Sequence, residues 1–194
     1  MLVVRHNRLL PPYHDYQALS LDALDDLATG RVSPPIAALP PTLPWGEDIV
    51  RQVNAADYMV CSSALRTQQT CAAVQALYGL NKKVRIDNRL DEILFTPSQL
   101  VVSAQDNPLQ AVRERLYVRL KEGGPGVEDP QALEGRISAV FQEYKGENCI
   151  VFSHGFLMRL MHGMAEKNLN FSNALAGISQ VLPVDYLEVR ELNV

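Results

Sequence analysis

Short apolar runs, each stopped by polar side chains, alternate along this chain with longer helical segments. Leu2-Val3-Val4 halts at Arg5-His6-Asn7, Tyr58–Cys61 at Ser62-Ser63, and Cys149–Ser153 at His154. Val84-Arg85-Ile86 is a shorter run followed by a loop over Asn88–Glu92, and Val181-Leu182 and Tyr186–Leu192 supply the last strands. An apolar run without alternation is a strand buried on both faces. Between the runs, Ser20 caps a helix with Leu21, Leu24, Leu27 and Ala28 on one face and Gly30 near its stop. Leu65–Leu77 reads as a helix with Leu65, Ala72, Ala73 and Ala76 toward the core. Further helices cover Pro108–Lys121, which Gly123-Gly124 closes, then Pro130–Tyr144 and Phe156–Ala165. This rhythm predicts an α/β fold, a three-layer α/β/α sandwich with a mainly parallel central sheet. Ligands of such sheets bind outside the carboxyl ends of the strands, where Arg5-His6, Ser62–Arg66 and His154-Gly155 converge.

No repeat or composition break divides the pattern, so residues 1–194 are expected to form a single domain. At that length roughly 70% of the unfolded surface can be hidden, and no disulfide or metal is needed as a staple. A composition of 47% hydrophobic and 21% charged residues excludes disorder, and a net charge of −4 argues against nucleic acid as a partner. Three widely spaced cysteines suit a reducing compartment. The N-terminal MLVVRHNRLLPPYH lacks the apolar core of a signal peptide, and no run approaches the roughly 20 apolar residues of a membrane span. A cytoplasmic protein with no membrane partner is expected. Pro34, Pro35, Pro40, Pro41 and Pro44 forbid regular structure in a Pro-rich loop over residues 33–46. A lid or docking segment and a stiff surface connection are both open readings of that loop.

Two histidines, two arginines and a carboxylate on one rim suit phosphoryl transfer. A neutral imidazole is a competent nucleophile near neutrality, and arginine forks match phosphate oxygens without losing their charge. A second imidazole, protonated, could stabilise the transferring group. A carboxylic acid could protonate the leaving oxygen and then activate water.

The chain resembles the histidine phosphatase superfamily, the phosphoglycerate mutase-like enzymes, in four segments taken in order. LVVRHN resembles the family's strand ending in Arg-His-Gly, SSALRTQQT its Ser-x-x-x-Arg-Ala-x-Gln-Thr segment, RLDE its Arg-Leu-x-Glu, and VFSHG its Ser-His-Gly. Weaker echoes are Arg136-Ile137 with Phe141, and Asn173-Ala174. The resemblance implies a phosphomonoesterase that needs no metal or cofactor and acts through a phosphohistidine on His6. Arg5, Arg66 and His154 would hold the phosphoryl oxygens, and Glu92 would serve as acid and then base. His154 would count among the catalytic residues as well.

Asn7 stands where the family has glycine; it tolerates left-handed backbone, and its amide is a candidate phosphate donor. The loop after it, Arg8–Tyr13, lacks the Ser, Thr or Asn that many relatives carry there. Residues 93–130 form a short substrate-wall insertion, which favours a phosphatase over a mutase. The mutase, and a phosphate-binding module of the same fold that has lost turnover, are the alternatives. Arg113, Arg115, Arg119 and Lys121 on the wall helix either select anionic substrates or form a solvated face. His14 is expected to be solvated and His162 packed. Cys61 fails as a cysteine-phosphatase nucleophile, because four residues rather than five separate it from Arg66. No Cys or His pair has zinc-ligand spacing, and no GxxxxGK loop is present. A small phosphorylated metabolite is the expected partner.

Overall fold

The computed structural model describes residues 1–101, 108–166, 170–178 and 184–192. Its five-stranded sheet is built from β1 (Leu2–Arg5), β2 (Tyr58–Cys61), β3 (Lys83–Ile86), β4 (Cys149–Ser153) and β5 (Val189–Glu191) in the spatial order β3-β2-β4-β1-β5. Every pairing is parallel except β1 with β5. Among the described residues the helices are α1 (Leu21–Ala28), α2 (Glu47–Ala55), α3 (Leu65–Tyr78), α4 (Pro97–Leu100), α5 (Pro108–Glu122), α6 (Pro130–Tyr144), α7 (Gly155–Glu166) and α8 (Phe171–Gly177).

The central strands are apolar throughout because both faces are covered. Val3, Val60 and Val151 face one core with α5, α6 and α7, whereas Val4, Met59 and Phe152 face another with Val53 of α2 and Val74 of α3. This is the expected three-layer arrangement. β3 differs: as an edge strand, all four of its residues are exposed. A smaller cluster joins Leu9, Leu24, Leu27 and Leu109, seating α1 and the loop after β1 against the start of α5.

Several expectations are corrected. The buried face of α3 is Thr67, Thr70, Cys71 and Val74, while Leu65 is 43% exposed and Ala72 and Ala76 are exposed. The two threonines can be buried because local carbonyls take their hydroxyls, Thr67 on Ala64 and Thr70 on Arg66. Of Tyr186–Leu192 only Val189–Glu191 is a strand, since Tyr186 and Leu187 form a turn in which Leu187 adopts φ +61°. Val181-Leu182 lies outside the described residues. Asn88–Leu90 is one 3-10 turn rather than open loop. Helices α2, α4 and α8 were not legible in the apolar spacing. No described helix is long and apolar enough to cross a membrane.

Candidate active site

The parallel strands β1, β2 and β4 end side by side. His6 N–H donates to the Ser153 carbonyl (3.1 Å) and Ser62 N–H to the Phe152 carbonyl (3.1 Å), which holds the three strand ends in register. His6, Ser62 and His154 are all buried. The rings of His6 and His154 meet edge to face with centroids 5.3 Å apart.

Hydrogen bonding sets the tautomers. His6 Nδ1 donates to the Asn7 carbonyl (2.7 Å), which leaves Nε2 as the lone-pair nitrogen. His154 is arranged the other way round. Arg66 Nε donates to its Nδ1 (3.2 Å), so Nε2 carries the proton and donates to Ser62 Oγ (2.8 Å). Ser62 Oγ then donates to Thr67 Oγ1 (2.8 Å), whose own proton goes to the Ala64 carbonyl (2.7 Å). The chain of donors runs in one direction with no proton left over. Burial, then Arg66 and Arg5, push the His6 pKa well below its ordinary 6.5. Burial, then Arg66 and His6, do the same to His154. Both shifts favour the neutral rings.

Arg66 spends only Nε on His154; its two terminal nitrogens have no hydrogen-bond partner among the described residues. Arg5 donates through Nη1 to the Val184 carbonyl and lays its guanidinium 4.2 Å over the Tyr186 ring. Its Nε is buried without a partner among the described residues. A Cβ on Gly155 would lie 3.2 Å from that Nε, so the glycine makes the space the guanidinium occupies.

Glu92 arrives from the segment after β3. Its carboxylate accepts from the backbone N–H groups of Leu157 (2.8 Å) and Phe156 (3.2 Å) in the first turn of α7, and of Ile93 (3.1 Å). Those bonds favour the anion, but burial outweighs them and raises the Glu92 pKa above its ordinary 4.5. The segment is pinned from two sides: Ser153 Oγ donates to Leu90 O (2.8 Å), and Arg136 Nη1 donates to the carbonyls of Arg89 (2.8 Å) and Asp91 (2.7 Å).

Arg5, His6, Arg66 and Glu92 line one cavity of about 640 Å³. His154 and Asn7 do not line it. His154 is wholly buried behind Arg66, with Nδ1 committed to that side chain. Asn7 donates from its side-chain amide to the Ala37 carbonyl (2.8 Å) and from its backbone to Thr70 Oγ1 (2.9 Å), tying the Pro-rich loop and α3 to the end of β1. The backbone at Asn7 is not left-handed, since Leu187 alone among the described non-glycine residues has positive φ. The Asn7 amide and His154 Nδ1, both expected to face phosphate, are thus engaged with protein atoms in this structure. His14 is exposed. Cys61 is buried in the core with Cys71, whose hydrogen bond together with burial pushes its thiol pKa far up. No group of three or more His, Cys, Asp or Glu side chains able to hold a metal is gathered among the described residues.

Sequence reasoning missed Arg159, Phe156, Tyr117 and Tyr16, which also line the cavity, and Tyr186, which stacks on Arg5. Phe156 and Arg159 share a face of α7 with Gly155, a spacing that could have revealed them. Tyr186 lies in a turn first read as strand, and nothing in its neighbours points to the site. Of the wall-helix cations, Arg113 and Lys121 line the cavity and Arg115 is exposed.

The sequence model for the histidine phosphatase superfamily (branch 1) matches residues 47–180, well over half of the chain. No curated protein is a significant match in sequence. Among solved structures, the chain is similar to a mycobacterial hydrolase at 15% identity and a TM-score of 0.61, covering 97% of this chain and 86% of that one. A mycobacterial glucosyl-3-phosphoglycerate phosphatase matches at 16% identity and a TM-score of 0.58, covering 97% and 87%. A candidate alpha-ribazole-5'-P phosphatase from Escherichia coli matches at 16% identity and a TM-score of 0.57, again covering 97% and 87%. At these identities the likeness is one of fold.

Proposed function

The chain belongs to the histidine phosphatase superfamily, and from that premise we propose that it is a phosphomonoesterase working through a phosphohistidine on His6. The observation that carries this reading is the His6 tautomer. With Nδ1 donating to Asn7 O, Nε2 keeps its lone pair in a cavity shared with the Arg5 and Arg66 guanidiniums and the half-buried Glu92 carboxyl.

In the first step Nε2 attacks phosphorus, the N–P bond forms and the bond to the ester oxygen breaks. Glu92, whose pKa burial raises, gives its proton to the departing oxygen. In the second step the Glu92 carboxylate takes a proton from water, the water oxygen attacks phosphorus, and the N–P bond breaks to return neutral His6 and inorganic phosphate. Arg5 and the free nitrogens of Arg66 stabilise the charge on the equatorial oxygens. His154 acts as a positioning residue that fixes the Arg66 fork, and Ser62 fixes His154. With a net charge of −4 over the whole chain, attraction for a phosphate dianion has to be local to these side chains.

The test is hydrolysis of an aryl phosphate in EDTA over about pH 5–8, comparing wild type with His6→Ala, together with an alkaline quench to trap the phosphoryl enzyme. The substitution should lower kcat by about three orders of magnitude or more, and wild type should carry phosphate on His6. Equal rates, or phosphate trapped elsewhere, would overturn the proposal.

A further inference from the structure

The cavity is much larger than a phosphoryl group. Its volume of about 640 Å³ falls among sites that enclose a whole small molecule, about 300–1,000 Å³. Beyond the phosphate end its walls are mixed: α1 contributes Leu24, Leu27 and Ala28, and α5 contributes Leu109 and Val112 together with the polar Gln110, Glu114 and Lys121. Facing them is a row of aromatic rings. Phe95 meets Phe156 edge to face at 5.5 Å, and Phe156 meets Tyr117 at 5.9 Å. A flat apolar body placed against the rings would continue their packing.

One charged side chain beside the rings has no described counter-charge. Arg113 lies one helical turn before Tyr117 on the same stripe of α5 and is half-buried. No described carboxylate pairs with it, and its nearby charges, Arg5 and Arg159, have its own sign. Burial and those two guanidiniums press its pKa down. Arg159 is already occupied, donating through Nη2 to the Ile178 carbonyl (2.7 Å) and through Nη1 to Tyr117 Oη (3.3 Å). Arg113 is therefore a half-buried cation beside the rings whose counter-charge a ligand could supply.

We propose that the site selects phosphomonoesters with a flat, mainly apolar body bearing a second anionic group, which Arg113 binds. This rests on the phosphomonoesterase reading above and adds the substrate class to it. Three probes share a primary-alcohol leaving group: benzyl phosphate, 4-carboxybenzyl phosphate and ribose 5-phosphate. Wild-type kcat/KM should rank the carboxylated ester about tenfold above benzyl phosphate, and benzyl phosphate above ribose 5-phosphate. Arg113→Met should bring the carboxylated-to-plain ratio down to near one, and Arg113→Lys should restore part of it.

Binding of the same probes to His6→Ala, or to His6→Gln if alanine fails to fold, reads the subsite without turnover. A carboxylate preference in binding that Arg113→Met abolishes, with no hydrolysis by wild type, would retain the subsite and overturn the phosphomonoesterase. Hydrolysis with no carboxylate preference, a preference for ribose 5-phosphate, or an equal loss on all three probes in Arg113→Met would overturn the subsite and leave the phosphomonoesterase standing.

Discussion

Both strand-end histidines are neutral, yet they use their nitrogens in opposite ways. His6 holds its proton on Nδ1, donating it in a hydrogen bond to Asn7 O, and so keeps a lone pair at Nε2, while His154 spends its Nδ1 lone pair on Arg66. Two acid–base limbs follow for kcat/KM with a poor leaving group. The low-pH limb is protonation of His6, and it falls well below 6.5 because the His6 pKa is depressed. The high-pH limb is loss of the Glu92 proton, displaced upward from 4.5 by burial. With a good leaving group the high-pH limb should vanish, and a limb that persists there would remove Glu92 from the acid role. Gly155→Ala tests the anion cradle. Its Cβ would meet Arg5 Nε at 3.2 Å and displace a guanidinium also held by Val184 and Tyr186. The expected result is about tenfold to a hundredfold weaker inhibition by inorganic phosphate with little change in Tm. Unchanged inhibition would place the phosphate away from Arg5.

At the scale of elements, Glu92, the proposed acid–base residue, is positioned by helices remote from it in sequence. Arg136 on α6 forks onto Glu128 (2.9 and 2.7 Å) and uses its remaining nitrogen on the carbonyls of Arg89 and Asp91, just ahead of Glu92. Its side chain and that of Glu128 are only 15% and 11% exposed, so Arg136→Ala leaves a mostly buried carboxylate without its counter-ion, held among the described residues only by the Leu94 N–H. A stability loss of about 3 kcal/mol is expected, with activity on poor leaving groups falling more than on good ones. Equal losses on both would mean that Arg136 serves folding alone. The cavity walls are latched in a similar way. The Asp25 carboxylate on α1 accepts from the backbone N–H and the hydroxyl of Ser98 on α4. The strands and most long helices were legible from apolar runs and helix boundaries, because those positions answer to burial. The face of α3 was not, because at the site end its buried positions are threonines engaged in the Ser62 and Asn7 networks. Apolar periodicity is blind to a polar residue buried with its bonds satisfied.

Across the whole molecule, two buried neutral histidines make stability depend on acid. In the unfolded chain each takes up a proton near 6.5, while in the folded chain each does so only well below that. Between those values the unfolded state holds more protons, so stability is full above about pH 6.5 and declines as pH falls. Glu92 acts in the opposite sense, since its folded pKa is raised and its protonation below that value favours the folded state. The first decline below pH 6.5 therefore belongs to the histidines. Thermal melts at successive pH values should show Tm falling there, with a shallower slope in His154→Gln. An unchanged slope would assign the acid sensitivity elsewhere.

The sequence by itself determined the layered α/β architecture and the strand ends that carry Arg5, His6 and His154, because burial on both faces and an abrupt polar stop are local properties. It also nominated Arg66 and Glu92 through their motifs. Only the tertiary structure decided what each group does with its bonds: that Asn7 ties down the Pro-rich loop, that His154 serves Arg66, and that Arg113 has no counter-charge among the described residues beside a row of rings. Those outcomes depend on which atoms meet across residues far apart in the chain. No spacing along the chain encodes the direction of a proton or the absence of a counter-charge.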